Sequence, residues 1–479
     1  MRLRVVISGG ICVLLPDWTT LSLASRASSR WRERMSGKEN NMSDRNEIVS
    51  RVTAALEGKP APVAIRNARK ADACGERRGY WVVSDAAGVI VAAGTGEEAF
   101  EHYCRTVELD PADRNAVIDA EGRILTPGYV DIHAHGAWEK SFDDGSDGID
   151  VARAGHAVHG TTRQVLSLIT NPVDVICRNI RTVRAKMESG RPDILGCHLE
   201  GPFLALARKG AHDPECLKDP VPDIVDDMLE ASGAANGKIG CIRQITIAPE
   251  LPHGISAIRQ FAAAGVVPAV GHCDADYETA KAGFDAGAGI MTHMFNAMNG
   301  LHHCEPGPIP AAVEDPRVTI ELINDGFHVQ DPMVSLSFRF APHRTAFVTD
   351  AMAATDCPDG AYKLGALDVN VVDGHARLVS NSAIAGSTLL LEVAVRRAVC
   401  ELGFSPVDAV EAATLTPAEA FGFDRPNPVT GAPIGLIAPG FAADFNLADP
   451  TDWTVEQVWC AGRRALARSR LRLGQQRGQ

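Results

Sequence analysis

The most informative stretch of this sequence is TPGYVDIHAHG, residues 126–136. It predicts an apolar strand that ends with two histidines, His133 and His135. Side chains at positions i and i+2 of a strand share one face, so both imidazoles can reach a single metal ion. Neutral imidazole is a good ligand for zinc, iron, manganese or cobalt. Such a pair also arises by chance, so its meaning depends on the segments that follow it.

Those segments repeat one pattern, in which apolar strands alternate with helical stretches over residues 126–425. The alternation is typical of a parallel α/β fold, and eight strands predict a (β/α)8 barrel of the TIM type. No glycine-rich phosphate loop follows a strand, which disfavours a dinucleotide-binding fold. The predicted strands are Ile124–His133, Arg163–Ile169, Asp193–Glu200, Gln244–Ala248, Val266–His272, Gly289–His293, Val318–Asn324 and Thr345–Asp350, with helices such as Pro172–Ser189 and Asp276–Gly287 between them.

Short β-like segments occur on both sides of this central region, in residues 56–125 and 426–462. They predict one small, discontinuous β-sandwich domain built from both chain ends. Residues 1–55 form an extension rich in arginine and serine, which we interpret as a disordered leader, a mis-assigned start or a targeting peptide. Residues 463–479 are a basic tail, most simply a solvated chain end.

Composition narrows the range of partners. The chain has 479 residues, and 47 basic against 60 acidic side chains give a net charge of −13, which argues against nucleic acid as a main partner. The twelve cysteines form no C-x-x-C pair, a usage that favours reduced thiols and a cytoplasmic location. No apolar run reaches the roughly 18 residues that a membrane span requires, so no membrane partner is expected.

Polar residues stand where several of the predicted strands end. In a barrel of this type the carboxyl ends of all strands meet at one rim, and side chains there carry function. Nitrogen and oxygen ligands converging on one rim are what a two-metal hydrolytic site requires, with a bridging carboxylate and a water that loses a proton near neutral pH. The residues at strand ends are His133, His135, Glu200, His272, His293 and Asp350.

Several motifs occur in a characteristic order along residues 60–460. They are TPGYVDIHAHG at 126, HLEGPF at 198, KGAH at 209, VGHCDAD at 270, THMFNAM at 292, EPG at 305, DGFHV at 325, VTDAMAA at 348 and IAGST at 384. Together they resemble the N-acetylglucosamine-6-phosphate deacetylases of the amidohydrolase superfamily. The resemblance implies a metal-dependent hydrolase of linear amides, usually a homodimer, that acts on a small amino-sugar substrate.

The resemblance also implies a role for individual residues. Glu200, His272 and His293 correspond to the ligands of the main metal ion. Some members lack the first-strand histidines and use one metal ion, whereas His133 and His135 are both present here, so a second divalent ion is plausible. Asp350 corresponds to the general acid/base as well as a ligand, and His212 to the residue that polarises the amide carbonyl. Asn296, Ala297 and His328 match positions that bind the sugar phosphate.

Amide hydrolysis needs a nucleophile, stabilisation of the tetrahedral oxyanion and a proton for the leaving amine. Our hypothesis is that hydroxide bound to the metal attacks the acetyl carbonyl, and that metal and His212 stabilise the oxyanion. Asp350 would take the proton from water and pass it to the amine. The sequence leaves open whether one or two ions bind, and whether they are zinc, iron, manganese or cobalt.

The sequence departs from the family pattern at one position. The residue before EPG is typically an arginine that holds the substrate phosphate, often from the neighbouring subunit, and here it is Cys304. A thiol cannot replace the charged, bidentate grip of arginine on a phosphate. Either the substrate is a non-phosphorylated N-acetyl amino sugar or another N-acyl amine, or His302, His303 or a nearby arginine compensates.

The sequence also bears on two other function classes. A barrel of this kind could hydrolyse an N-acyl amino acid or a cyclic amide, but the sugar-deacetylase motifs around Asn296 and His328 argue against this. A barrel that has lost catalysis could act as an assembly or regulatory subunit. Such a loss usually leaves gaps among the ligands and the base, and none is missing from this sequence.

Overall fold

The chain is described here by a computed structural model. It divides into two units, Met1–Glu47 and Ile48–Gln479. In the first unit, the strands Arg4–Ser8 and Ile11–Leu15 pair antiparallel. Most of the predicted extension and of the basic tail lies outside the described residues, which are 4–8, 11–15, 42–113, 116–234 and 239–467.

Eight parallel strands form the central sheet, and they lie in the sheet in the same order as in the chain. Between the first and the last strand, the backbone N–H of Asp350 donates to the carbonyl of His133 at 2.8 Å, so the sheet is a nearly closed barrel. The predicted (β/α)8 barrel is confirmed. Its strands are β1 Tyr129–Ala134, β2 Thr161–Ile169, β3 Ile194–Glu200, β4 Ile242–Ile247, β5 Val267–Val270, β6 Ile290–Met291, β7 Thr319–Ile323 and β8 Thr345–Val348.

At least one helix follows each barrel strand and covers it from outside. Val173–Glu188, for example, buries Ile176, Ile180 and Val183 on one face at helical spacing. With helices outside and side chains inside, the strands are buried on both faces, which explains their near-continuous apolar sequences. The helices are Gly145–Ala157, Val173–Glu188, Pro222–Ser232, Gly254–Ala263, Tyr277–Asp285, Ile309–Glu314 and Asp331–Phe340, then Leu391–Arg396, Pro406–Glu411 and Leu415–Glu419 after β8.

Strands from both ends of the second unit form a separate sheet, which confirms the prediction of a small β domain made from both ends. The buried guanidinium of Arg163, on β2, binds both carboxylate oxygens of Asp444 at 2.8 and 3.1 Å and so ties the barrel to this sheet. The order in the sheet is Arg463–Ala467, Val455–Cys460, Phe445–Ala448, Ile124–Pro127, Val63–Asp72, Gly75–Ser84 and Ile90–Gly94, with Val117–Asp119 beside Val63–Asp72. A helix, Glu97–Thr106, follows Ile90–Gly94.

The prediction of one continuous strand, Ile124–His133, is wrong. The chain leaves the separate sheet after Pro127 and enters the barrel at Tyr129, so two strands in two sheets replace one. Gly128 lies at the junction, where a Cβ atom would come within 2.1 Å of the Thr162 hydroxyl oxygen. This close approach to β2 requires glycine, and it allows the change of sheet within one residue.

Three further elements differ from the predictions. The helix Met42–Glu57 begins inside the extension, residues 1–55, for which disorder was one expectation, and its Val52 and Leu56 are buried in a cluster with Trp138. The start of the expected basic tail, Arg463–Ala467, pairs as a strand with Val455–Cys460. The third element, a small antiparallel sheet after β8, consists of Gly360–Leu364, Leu367–Val372 and His375–Leu378. Within the described ranges, the helices lack the length and apolar character needed to cross a bilayer.

Candidate metal centre

Glu200 is the centre of a buried cluster at the carboxyl rim of the barrel. It is the last residue of β3 and only 3% exposed. Its Oε1 lies 3.2 Å from His272 Nε2 and 3.2 Å from His293 Nε2. Its Oε2 lies 2.9 Å from His135 Nε2. One carboxylate therefore faces histidines that follow three other strands.

The same carboxylate also faces the first and last strands. His133 Nε2 is 3.2 Å from Glu200 Oε1 and 3.6 Å from Asp350 Oδ1, and His135 Nε2 is 3.5 Å from Asp350 Oδ1. Two groups of potential ligands thus share Glu200. Within each group, the ligand atoms lie within 4.8 Å of one another, and all the residues are buried. The groups are His133, His135, Glu200 and Asp350 on one side and Glu200, His272 and His293 on the other.

The hydrogen bonds of these histidines leave ring lone pairs that a cation between them would satisfy. His272 Nδ1 is 2.8 Å from the Arg208 carbonyl, which can only accept, so Nε2 of the neutral ring carries a lone pair. That lone pair faces Glu200 and lies 3.0 Å from His293 Nε2. His133 Nε2 is buried and has no hydrogen-bond partner of good geometry among the described residues. Converging lone pairs of this kind are what a bound divalent ion would satisfy.

The pKa shifts of residues in the cluster also favour a bound cation. Burial disfavours ionised Glu200, but His133, His135 and His212 outweigh it and hold its pKa well below the ordinary range. Burial likewise opposes charge on His133, yet the carboxylates of Glu200 and Glu321 raise its pKa well above the ordinary value. The carboxylates thus stabilise positive charge at the centre of the cluster. A metal ion would displace the proton and take its place.

Backbone conformation directs three of these side chains into the barrel mouth. His272, His293 and Asp350 have φ values of 47°, 25° and 49°, a region that non-glycine residues seldom occupy. Each follows the end of a barrel strand, where the backbone would otherwise continue the alternation of the strand. Such local strain persists where the surrounding structure enforces it, and it is concentrated at functional sites.

His212 comes from the loop after β3 and completes the cluster. Its Nε2 is 3.4 Å from Glu200 Oε2, and its Nδ1 is 2.8 Å from the Thr170 hydroxyl. Burial, only partly opposed by Glu200, lowers the pKa of His212 to about 4. The ring is therefore neutral near pH 7 and can offer one N–H as a hydrogen-bond donor.

The predicted substrate contacts are placed further out. The backbone N–H of Asn296 donates to the His293 carbonyl at 3.0 Å, and Ala297 follows it in the segment after β6. His328 lies after β7, with Nδ1 2.6 Å from Asp325 Oδ2. His303 and Cys304 are exposed on the loop between Asn296 and the helix Ile309–Glu314.

Two buried residues that sequence reasoning did not identify contact the cluster. Glu321, in β7, lies 2.9 Å from His133 Nδ1 through its Oε2. The hydroxyl oxygen of Thr170, directly after β2, contacts His212 Nδ1 as described and lies 3.1 Å from the Glu200 carbonyl oxygen. The signal for Glu321 was present, because a carboxylate within the apolar run TIELI has no other reason to be buried.

A barrel with a buried histidine and carboxylate cluster at its carboxyl rim defines a metal-dependent hydrolase. A comparison with known protein families supports this class, because the model of the amidohydrolase family matches residues 124–465. The chain belongs to that family.

The names of individual relatives are more specific than the name of the family. The chain is 33% identical to an N-acetylgalactosamine-6-phosphate deacetylase of Escherichia coli O157:H7, over 73% of this chain and 90% of that protein. It is 32% identical to an N-acetylglucosamine-6-phosphate deacetylase of Vibrio furnissii, over 71% of this chain and 82% of the relative. Among solved structures, an N-acetyl-D-glucosamine-6-phosphate deacetylase of Mycobacterium smegmatis in complex with N-acetyl-D-glucosamine-6-phosphate is similar, with a TM-score of 0.74 and 35% identity, over 86% of this chain and 100% of that one.

Proposed function

We propose that this protein is a metal-dependent amide hydrolase that removes the acetyl group from an N-acetylated amino-sugar 6-phosphate, with N-acetylglucosamine-6-phosphate as the main substrate. The observation that carries the proposal is the cluster around Glu200 in a chain closely related to enzymes of that activity. The cluster contains every ligand and acid/base residue that the sequence predicts, which disfavours a non-catalytic subunit.

We propose two divalent ions, one in each ligand group, drawn from zinc, iron, manganese and cobalt. When bound, such ions act as Lewis acids and lower the pKa of water to near neutrality. Glu200 belongs to both ligand groups and would help to hold both ions. His272 and His293 would hold one ion, and His133, His135 and Asp350 the other.

Asp350 and His212 are proposed to act directly on the substrate. Asp350 would accept a proton from the attacking water and deliver it to the leaving amine, which must be protonated before the C–N bond can break. Neutral His212 would donate its Nε2–H to the oxygen of the tetrahedral intermediate. In this tautomer Nδ1 has no hydrogen, so it accepts from the Thr170 hydroxyl, and this bond fixes the orientation of the ring.

For the sugar phosphate, Asn296, Ala297 and His328 are proposed contacts, with His303 and Cys304 at the outer edge. Burial opposes charge on His328, but the bond with Asp325 outweighs it and raises the pKa of the imidazole. The raised pKa extends the pH range over which the ring is protonated and can bind a phosphate, which supports a phosphorylated substrate even though Cys304 supplies no charge. The alternative, a non-phosphorylated N-acetyl amino sugar or other N-acyl amine, rests on Cys304 alone.

A second candidate substrate is N-acetylgalactosamine-6-phosphate, because a relative at 33% identity carries that name. The two sugars differ only in the configuration at C4, so the same metals and acid/base group serve both. We also propose a homodimer, as the family resemblance implies. We propose a cytoplasmic location, because the twelve cysteines form no C-x-x-C pair, a usage typical of a reducing compartment.

The test compares acetate release from N-acetylglucosamine-6-phosphate, N-acetylgalactosamine-6-phosphate and N-acetylglucosamine by wild type, Cys304→Arg and the uncharged control Cys304→Ser. We expect the wild type to prefer phosphorylated sugars. Cys304→Arg should lower KM for them about 10-fold, the effect of one added charge-assisted hydrogen bond, with KM for N-acetylglucosamine unchanged. A wild type that hydrolyses N-acetylglucosamine as well as its phosphate would contradict the proposal.

A further inference from the structure

Glu321 is a fully buried carboxylate in β7 that the proposed chemistry does not use. Its Oε2 is 2.9 Å from His133 Nδ1 and accepts from the backbone N–H of His293 at 3.2 Å. Its Oε1 accepts from the side-chain amide of Gln244 at 2.7 Å. Three donors therefore converge on one charge with 0% exposure. A buried carboxylate is costly unless it is paired and hydrogen-bonded in this way.

The contact with His133 determines which ring nitrogen can bind a metal. An ionised carboxylate only accepts hydrogen bonds, so His133 Nδ1 carries the hydrogen, and Nε2 is the nitrogen directed at the cluster. Nε2 faces Glu200 Oε1 at 3.2 Å and Asp350 Oδ1 at 3.6 Å. A carboxylate behind a histidine ligand also makes the ligand nitrogen more basic and fixes the plane of the ring.

The two ligand groups differ in the hydrogen-bond acceptors that orient their histidines from behind. In the group of His272 and His293, His272 is oriented by the neutral Arg208 carbonyl. In the other group, His135 Nδ1 has no hydrogen-bond partner among the described residues. The only carboxylate that orients a first-strand histidine from behind, within the described part of the chain, is that of Glu321.

We propose that Glu321 is a positioning residue that acts through His133 and sets the affinity of the metal position formed by His133, His135, Glu200 and Asp350. Among the described residues, the Glu321 carboxylate reaches the other metal position through the backbone N–H of His293, a bond that does not choose a ligand nitrogen. The inference rests on the proposed function, because it requires the cluster to bind divalent ions.

The test measures binding of Zn²⁺ to the metal-free protein by competition with a chromophoric chelator, which gives one dissociation constant for each ion. Glu321→Leu removes the acceptor behind His133, and we expect one of the two constants to rise about 10- to 100-fold while the other stays within about 3-fold. Glu321→Gln keeps an oxygen that can accept from Nδ1, so it should restore most of the lost affinity. Gln244→Met serves as the matched control, because it removes another bond to Glu321 without touching His133.

Three results would overturn the inference: both constants unchanged in Glu321→Leu, an equal loss at both positions, or the same loss in Gln244→Met. If Glu321→Leu does not fold, the Gln variant decides: a rise of a few-fold in one of the two constants is expected, and no change in either would contradict the inference. A wild type that binds no Zn²⁺ would instead refute the proposed function, so the two failures are distinguishable.

Discussion

Replacing Asp350 by asparagine is expected to lower kcat for N-acetylglucosamine-6-phosphate about 1000-fold while the protein still binds metal. The amide keeps an oxygen near His133 and His135 but cannot accept a proton, and general acid/base groups contribute about 10² to 10⁴ in rate. The measurement is acetate release at saturating substrate together with metal content by elemental analysis.

The matched control is Asp331→Asn, an exposed aspartate at the start of the helix after β7, paired with Arg397. It makes the same chemical change outside the cluster and should leave kcat unaltered. If Asp350→Asn retained kcat within about 10-fold of the wild type at equal metal content, the proton-transfer role of Asp350 would be refuted.

Replacing Glu200 by alanine should have the largest effect on metal binding. Its oxygens lie within 3.4 Å of the Nε2 atoms of five histidines, and the carboxylate belongs to both ligand groups. Loss of the Glu200 carboxylate removes a ligand from each position. The histidines would then have to bind a cation without that negative charge. We expect metal affinity to fall by at least about 100-fold at both positions, since even an outer partner of a ligand contributes 10- to 100-fold.

Elemental analysis after dialysis measures this loss, and activity should fall with it. Glu250→Gln is the control: this exposed carboxylate follows β4 on the same rim, and its Oε1 accepts from the backbone N–H of Asp274, outside the cluster. A Glu200→Ala protein with wild-type metal content would show that Glu200 is not the shared ligand.

The ligands could be predicted because each stands at or just beyond the end of an apolar strand. The period of a strand places Glu200 on the rim without knowledge of its neighbours, and the barrel topology brings the eight ends together. For the same reason His272 and His293 were identified although their left-handed φ values are invisible in the sequence.

Other features depend on contacts between segments far apart in the chain. Whether Glu321 points at His133 is decided by the relation of β7 to β1, two strands separated by β8 in the nearly closed barrel. The change of sheet at Gly128 depends on its approach to Thr162, which no local pattern shows. In the small sheet after β8, Val369 and Val371 alternate with polar residues, which is the pattern of a strand. This strand lies outside the eight expected for the barrel and was therefore not predicted.

Deacetylation is expected to require a divalent metal held by the Glu200 cluster. This requirement is tested most directly by measuring acetate release from N-acetylglucosamine-6-phosphate after removal of metal with a chelator, and again during titration with Zn²⁺, Mn²⁺ or Co²⁺. We predict that release falls to background and returns in proportion to bound ion, with saturation at two ions per chain. Metal-free protein that releases acetate at the original rate would contradict the account.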